Sequence, residues 1–257
     1  MIDIHSHIMP DVDDGARSLE EAVEMAEIAI ADGIRQMVST SHMFNGLSHN
    51  PEPSEILERV AKLQESIGNK LKILPGNEVH MSPGIVDHVV NNRVSKINQK
   101  NYMLVEFPQL TIPVGAAEVL HKLQLHGVCP IIVHPERNVQ IQNNPDVVAE
   151  FLAHGSLIQV TAMSITGEFG RAAKKCVDTL LRHNCVQFIA TDAHRAKQRR
   201  PILSRGREAA AAIVGEDKAH RLVSENPLAV INGQPVPVES PIPFSPEKRP
   251  GLLRFFR

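Results

Sequence analysis

Thirteen histidines stand in this chain of 257 residues, and what they can do depends on where they fall. The opening stretch MIDIHSH puts His5 and His7 two apart, behind an alternation of apolar and polar residues. That alternation is strand periodicity, and in a strand residues i and i+2 share a face. Asp3, His5 and His7 are therefore expected on one face, both imidazoles at the strand's C-terminal end. Later apolar runs end in SH (41–42), GNE (76–78), VEF (105–107), HPER (134–137) and TDAH (191–194). A single strand-end histidine is usually a hydrogen-bonded one, and a single glutamate is usually solvated. The conjunction of His5, His7, His42, Glu78, Glu106, His134, Asp192 and His194 is a different matter. At one mouth the three carboxylates would repel, and divalent cations would neutralise them. Nitrogen and oxygen donors without thiolates suit manganese, iron or zinc. Eight side chains exceed the needs of one ion, so two or three are expected. Such a centre activates water and stabilises charge on a transferring oxygen. Arg137 and Arg195 directly follow two of these motifs, and a guanidinium fork matches phosphate. An anionic substrate such as a phosphate ester follows.

The elements that must position these residues alternate along the chain. Strand candidates are 1–7, 35–42, 71–80, 101–108, 129–137, 156–164 and 185–194. Helix candidates lie between them. SLEE (18–21) reads as a capping box opening a helix that stops at Asp32-Gly33. Apolar residues at helical spacing mark 52–67, 113–125, 144–154, 169–183 and 202–214, and a last short helix starts near Glu225. Serial strand–helix units predict an α/β fold with parallel strands joined by crossovers. In such folds function collects at the C-terminal strand ends. Closed into a ring, seven units make a TIM-like barrel one unit short; a doubly wound sheet is the alternative. Residues 1–233 read as one domain and 234–257 as a proline-rich irregular tail. Its end, GLLRFFR, reads as a docked or disordered terminus, or as a weak peripheral membrane or partner contact.

Composition excludes several classes. Twenty-seven basic and 29 acidic residues give a formal charge of −2, and no nucleic-acid partner is expected. No apolar run approaches the ~18 residues of a membrane span, and no leader pattern opens the chain. Three cysteines without close pairing fit a cytoplasmic home. Cys176 and Arg182 satisfy the C-x5-R pattern of cysteine-dependent phosphatases, but the intervening VDTLL has no glycine to cradle phosphate and carries core spacing. That match reads as coincidence.

The ordered set HSH, SH, GNE, VEF, HPER and TDAH resembles the PHP (polymerase and histidinol phosphatase) family. Within it, MIDIHSHIMPDVDDGA, HPERN and TDAHR resemble the bacterial manganese-dependent protein-tyrosine phosphatases of the CpsB/CapC type. The resemblance covers roughly residues 1–233. It implies a distorted seven-stranded β/α barrel with a trinuclear metal centre, manganese first and iron or zinc as alternatives. It implies hydrolysis of phosphotyrosine on the tail of a bacterial tyrosine autokinase, and so control of capsule or exopolysaccharide synthesis. The family's ligands fall on His5, His7, His42, Glu78, Glu106, His134, Asp192 and His194, and its phosphate-contacting arginines are placed at Arg137 and Arg195. His194 or His42 is the expected proton donor, Asp14 a supporting acid, and Asp3 an orienter of an imidazole. His80 stands where the family often has arginine, and the stretch after His42 also departs. Other PHP phosphoesterases such as histidinol phosphatase, an amidohydrolase-type metal enzyme and a silent metal-binding docking module are the rival readings. A homo-oligomer is a further expectation.

Overall fold

The computed structural model describes residues 1–46 and 49–244. GLLRFFR, at 251–257, lies outside the described residues. Nine short strands form among the described residues: β1 (Ile2–Ser6), β2 (Gln36–Ser39), β3 (His42–Met43), β4 (Lys72–Pro75), β5 (Glu78–His80), β6 (Tyr102–Glu106), β7 (Cys129–Val133), β8 (Leu157–Thr161) and β9 (Phe188–Ala190). Eleven α-helices intervene among the described residues: α1 (Leu19–Ala31), α2 (Pro53–Ile67), α3 (Ile85–Val90), α4 (Ala116–Leu125), α5 (Val139–Asn143), α6 (Val147–Ala153), α7 (Ala162–Thr166), α8 (Gly170–Arg182), α9 (Ser204–Val214), α10 (Glu216–Val223) and α11 (Glu225–Asn232). The capping box at Ser18 forms, its side chain accepting from the Glu21 N–H, and Asp32 caps the other end of α1.

All strand pairs are parallel, as the alternating units require. The described strands are hydrogen-bonded as two sheets, β1-β2-β4 and β3-β5-β6-β7-β8-β9. The second and third strand candidates each break in two. At the first break the Thr40 hydroxyl takes the Ser6 N–H in place of a ladder carbonyl. At the second, a Cβ on Gly76 would stand 2.8 Å from Val38, so the chain passes too close to β2 for any side chain there. The sheets meet again where Ser6 bridges Ala193, with the Asp192 N–H donating to the His5 carbonyl at 2.9 Å.

Register decides which side chains share a face. Glu78 pairs with Leu104, His80 with Glu106, and His42 with Glu78. Gln159 pairs with Val133 and Phe188. Paired residues point the same way, so these polar groups share the face on which Ile4, Val38, Leu104, Ile131, Val133 and Phe188 form the smaller apolar cluster. Val230 and Ile231 of α11 pack into that cluster. The opposite faces, with Met37, Val105, Ile132 and Val160, pack under the helices in the larger core. One face thus carries both the smaller apolar cluster and the polar groups His42, Glu78, Glu106 and Gln159.

β1 departs from simple alternation. Its register on β2 shifts between Asp3 and Ser6. Ile2 and Ile4 join the smaller cluster, yet His5 meets Gln159 and Glu78 on the same side. An irregularity of this kind re-aims a side chain. Asp3 is left on the other side, aligned with Met37. The expectation that Asp3 orients an imidazole is therefore corrected: its carboxylate accepts from the Thr191 hydroxyl and from the backbone N–H groups of Thr191 and His5.

Residues 234–244 form no helix or strand but lie on the fold. Ile242 exchanges hydrogen bonds with His183, and Phe244 stacks on the same ring at 4.0 Å. No described helix is long and apolar enough to cross a membrane.

Candidate metal centre

His5 and His7 are fully buried, and each is held by its Nδ1. His5 Nδ1 lies 2.7 Å from the Gln159 Oε1, and His7 Nδ1 lies 2.8 Å from the Asp13 Oδ2. Both partners accept, so both Nδ1 atoms donate, and a neutral ring then carries its lone pair on Nε2. The two Nε2 atoms face each other at 3.3 Å. Each also lies 3.3 Å from the Glu78 Oε2, with Asp192 Oδ1 at 3.5 and 3.4 Å. Fixing Nδ1 to expose Nε2 is the usual arrangement behind a metal-ligating histidine.

The loop after β1 reaches this centre through close packing. A Cβ on Gly15 would stand 2.1 Å from the His7 carbonyl oxygen, so only glycine lets the DDG turn lie against β1. Asp13, thereby placed, also accepts from the His42 N–H at 2.9 Å. Asp14 projects to the rim, 3.4 Å from His194 Nε2 and 3.6 Å from His42 Nε2. Across the mouth, His134 Nε2 donates to Glu78 Oε1 at 2.7 Å. Glu106 approaches His42 at 3.8 Å and His80 at 3.4 Å. His134 and Asp192 both hold left-handed backbone, at φ 35° and 52°. Such conformations cost free energy in non-glycine residues and cluster at functional sites.

Donor groups fall into four overlapping sets: His5 with Glu78 and His134; His5 with His7 and Asp192; His42 with Glu78 and Glu106; and His7 with Asp14, His42 and His194. Every ligand expected from the sequence is in one of them, and Asp14 is added. The fit to cations has an independent mark. His42 Nδ1 and Glu78 Oε2 are buried, 2.9 Å apart, yet make no hydrogen bond. A nitrogen and an oxygen that close, unaligned with each other, suit a shared cation.

Charge follows the same logic. Burial pushes the His7 imidazole down, but Asp13, Asp192 and Glu78 override it and hold it well above its ordinary value. Glu78 and Asp192 likewise raise His5 against its burial. Burial would raise Glu78 and Asp192, yet the surrounding histidines, and Arg199 for Asp192, hold both carboxyls well below the usual range. Without metal, protons on the rings balance the carboxylates. His194 differs: burial, with His7 beside it, pushes it to about 4.

The arginines are distributed otherwise than expected. Arg137 donates to Asp192 Oδ2 at 2.6 Å. Arg195 does not approach the centre; it pairs with Glu21 at 3.3 Å. Arg199 occupies the place expected for it, donating to Asp192 Oδ2 and lying 3.1 Å from His194 Nε2. Phe169 lies under both site guanidinium groups, 4.8 Å from Arg137 and 5.6 Å from Arg199. Asp13, Gln159, Arg199 and Phe169 were missed by sequence reasoning. Gln159 left one signal, a polar residue inside the apolar run SLIQV. Cys176 is buried in α8, its thiol pushed up to about 12 by burial, while Arg182 is exposed. No phosphate cradle exists there.

Comparison with known proteins gives the same family from two directions. The tyrosine-protein phosphatase YwqE of Bacillus subtilis (strain 168) is 36% identical over 202 residues, covering 77% of this chain and 79% of its own. The tyrosine-protein phosphatase CpsB of Streptococcus pneumoniae is 30% identical over 241 residues, 91% and 99% of the two chains. A crystal structure from work on YwqE and CpsB, described as unique metal-dependent tyrosine phosphatases, superposes with a TM-score of 0.90 at 32% identity, over 95% of this chain and 99% of that one. A histidinol phosphate phosphatase of Lactococcus lactis shares the fold at 15% identity and a TM-score of 0.55. Residues 1–232 match the family described as capsular polysaccharide synthesis, CpsB/CapC, and the chain belongs to that family.

Proposed function

We propose that this protein hydrolyses phosphotyrosine on a protein substrate, using a centre of two or three divalent ions, manganese first. The observation that carries the reading is the convergence of imidazole and carboxylate donors beside two arginines on one buried aspartate. His5, His7, His42, Glu78, Glu106, His134, Asp192 and His194, with Asp14 at the rim, would hold the ions. When bound, such ions supply Lewis-acid stabilisation to the transferring phosphoryl group and activate the attacking water. The chain's own residues do the rest. Arg137 and Arg199 bind the phosphate oxygens, and Phe169 restricts the swing of both guanidinium groups. Gln159 and Asp13 keep His5 and His7 in the tautomer that presents Nε2. His194 gives its Nδ1–H to the Asp192 carbonyl at 3.0 Å and is held neutral, which fits a ligand better than a proton donor. Asp14 faces the His194 and His42 imidazoles at the rim, where it orients rather than stores a proton. The tyrosine phenolate has a pKa of about 10 and departs with less help than an alkoxide. In this reading the two sheets act as one distorted barrel wall, stitched at Ser6 and Ala193. We place the protein in the cytoplasm and its substrate on the tail of a bacterial tyrosine autokinase that governs capsule or exopolysaccharide synthesis.

The test is phosphate release from a phosphotyrosine peptide, a phosphoserine peptide and histidinol phosphate, in Mn²⁺ and then in excess chelator. Release from phosphotyrosine alone, lost with chelator, is expected. Preference for histidinol phosphate would keep the metals and move the reaction to a small metabolite. Bound metal without turnover would make a docking module the better reading.

A further inference from the structure

Beside the mouth lies a second cleft of about 570 Å³. One wall is α7 and Glu168, and the other is residues 197–206. Its floor is set by backbone contact: a Cβ on Gly206 would stand 2.5 Å from the Ala162 Cβ, so α9 lies directly on α7. The cleft is therefore preformed. Four cations line it, Lys197, Arg199, Arg200 and Arg205, against two carboxylates, Asp32 and Glu168. Those carboxylates are engaged. Asp32 accepts from the backbone N–H groups of Leu203 and Ser204 and from the Ser204 hydroxyl. Glu168 accepts from the Thr166 hydroxyl at 2.9 Å. Among the described residues, the exposed side chains of Lys197, Arg200 and Arg205 make no ion pair. Arg199 belongs to both places, lining the cleft and reaching Asp192 and His194 in the centre.

We propose that this cleft is a subsite for an anionic side chain, carboxylate or phosphate, that flanks the phosphotyrosine in the substrate. The proposal rests on the phosphotyrosine reading. A peptide whose phosphate meets Arg137 and Arg199 has Arg199's other flank as its neighbour. Three unpartnered cations there favour a chain carrying further negative charge, and the arginine fork takes either anion.

The experiment uses the metal-loaded protein and peptides with one phosphotyrosine. Successive neighbouring positions carry alanine, glutamate or phosphoserine. Wild type is compared with the K197A/R200A/R205A variant, and p-nitrophenyl phosphate reports on the centre alone. An anion at the right position is expected to lower KM about three- to tenfold, from a few exposed charge pairs. The triple variant is expected to erase that difference with kcat and p-nitrophenyl phosphate turnover unchanged. A gain from glutamate names a carboxylate; a gain from the second phosphate alone names phosphate. A wild type indifferent to flanking charge overturns the subsite, and so does a preference that survives in the triple variant. If that variant folds poorly, R200Q and R205Q singly carry the same comparison. Turnover of p-nitrophenyl phosphate but of no peptide would refute the phosphotyrosine reading instead. Anisotropy of the same labelled peptides would then read the cleft: loss of anion preference in the triple variant supports it, and persistence overturns it.

Discussion

Replacing Arg199 with alanine, beside the same change at Arg195, separates what chain position suggests from what the fold builds. Arg199 donates to Asp192, which is 1% exposed, and its own side chain is 25% exposed. A guanidinium about 4 Å from a phosphate charge contributes about 4 kcal/mol at an effective dielectric near 20, and about 1 kcal/mol in bulk water. A quarter-exposed group beside a buried carboxylate lies between these limits, at about 2–3 kcal/mol. That corresponds to a loss of about 30- to 150-fold in kcat/KM for Arg199→Ala. Arg195 and Glu21 form a partly exposed pair, and Glu21 belongs to none of the donor sets. Pairs of that kind contribute about 1 kcal/mol or less to stability. Arg195→Ala should keep kcat/KM within about twofold and lower Tm slightly. Steady-state rates on a phosphotyrosine peptide, with metal content measured on each variant, make the comparison. Metal content should hold, since removing a cation from Asp192 does not weaken its pull on metal. An Arg195→Ala enzyme as crippled as Arg199→Ala, or a fully active Arg199→Ala enzyme, would refute the assignment.

Asp13→Ala removes the acceptor of His7 Nδ1 and of the His42 N–H, and Mn²⁺ affinity should fall about 10- to 100-fold by direct titration; unchanged affinity would show that the ring needs no such support. The metal-free protein should have a stability maximum between about pH 4 and about pH 6.5, the ordinary carboxyl and imidazole values. His5, His7 and His42 have folded pKa values raised above their unfolded ones, so the stability they contribute is present below about 6.5 and lost as pH rises through the folded values. Glu78 and Asp192 are depressed, so their share is lost as pH falls below about 4. His194, held to about 4, works against the three raised rings. Tm measured across this range should fall on the alkaline side, and saturating Mn²⁺ should remove that fall; a metal-free Tm that climbs steadily to pH 8.5 would contradict the balance. Cys176→Ser should leave activity unchanged, because the thiol is buried and pushed up to about 12; a dead variant with normal metal content would reopen thiol chemistry.

What the sequence made legible was whatever depends on residue type at a strand end. His42, Glu78, Glu106, His134, Asp192 and His194 each end an apolar run, and parallel pairing brings those ends to one rim. The breaks at 40–41 and 76–77 were not legible, because they arise where strands crowd: the Thr40 hydroxyl on Ser6, and Gly76 against Val38. Asp3 looked equivalent to His5 by period two, and only the register shift in β1 separates them. The arginine exchange has a similar origin. His194 N–H donates to the Arg199 carbonyl at 2.9 Å, and Arg199 itself sits at φ 50°. The chain after TDAH thus turns back, bringing the fifth residue after His194 to the centre and leaving its immediate neighbour on Glu21. Spacing along the chain cannot show that reversal.

The same contacts explain why the centre is built as it is. Glu78 and Asp192 would be costly to bury bare, and the rings that offset them bind either a proton or a metal at Nε2. Gln159 and Asp13 hold Nδ1 in both states, so exchanging proton for cation needs no rearrangement of the rings. Metal affinity then depends on pH because proton and cation compete for one lone pair. Asp192 ties this to substrate. Its Oδ1 faces His5 and His7, while its Oδ2 takes Arg137 and Arg199. In the proposed function, one buried carboxylate would join the cation donors to the arginines that meet phosphate, and its left-handed backbone, at φ 52°, is the strained point on which both would depend.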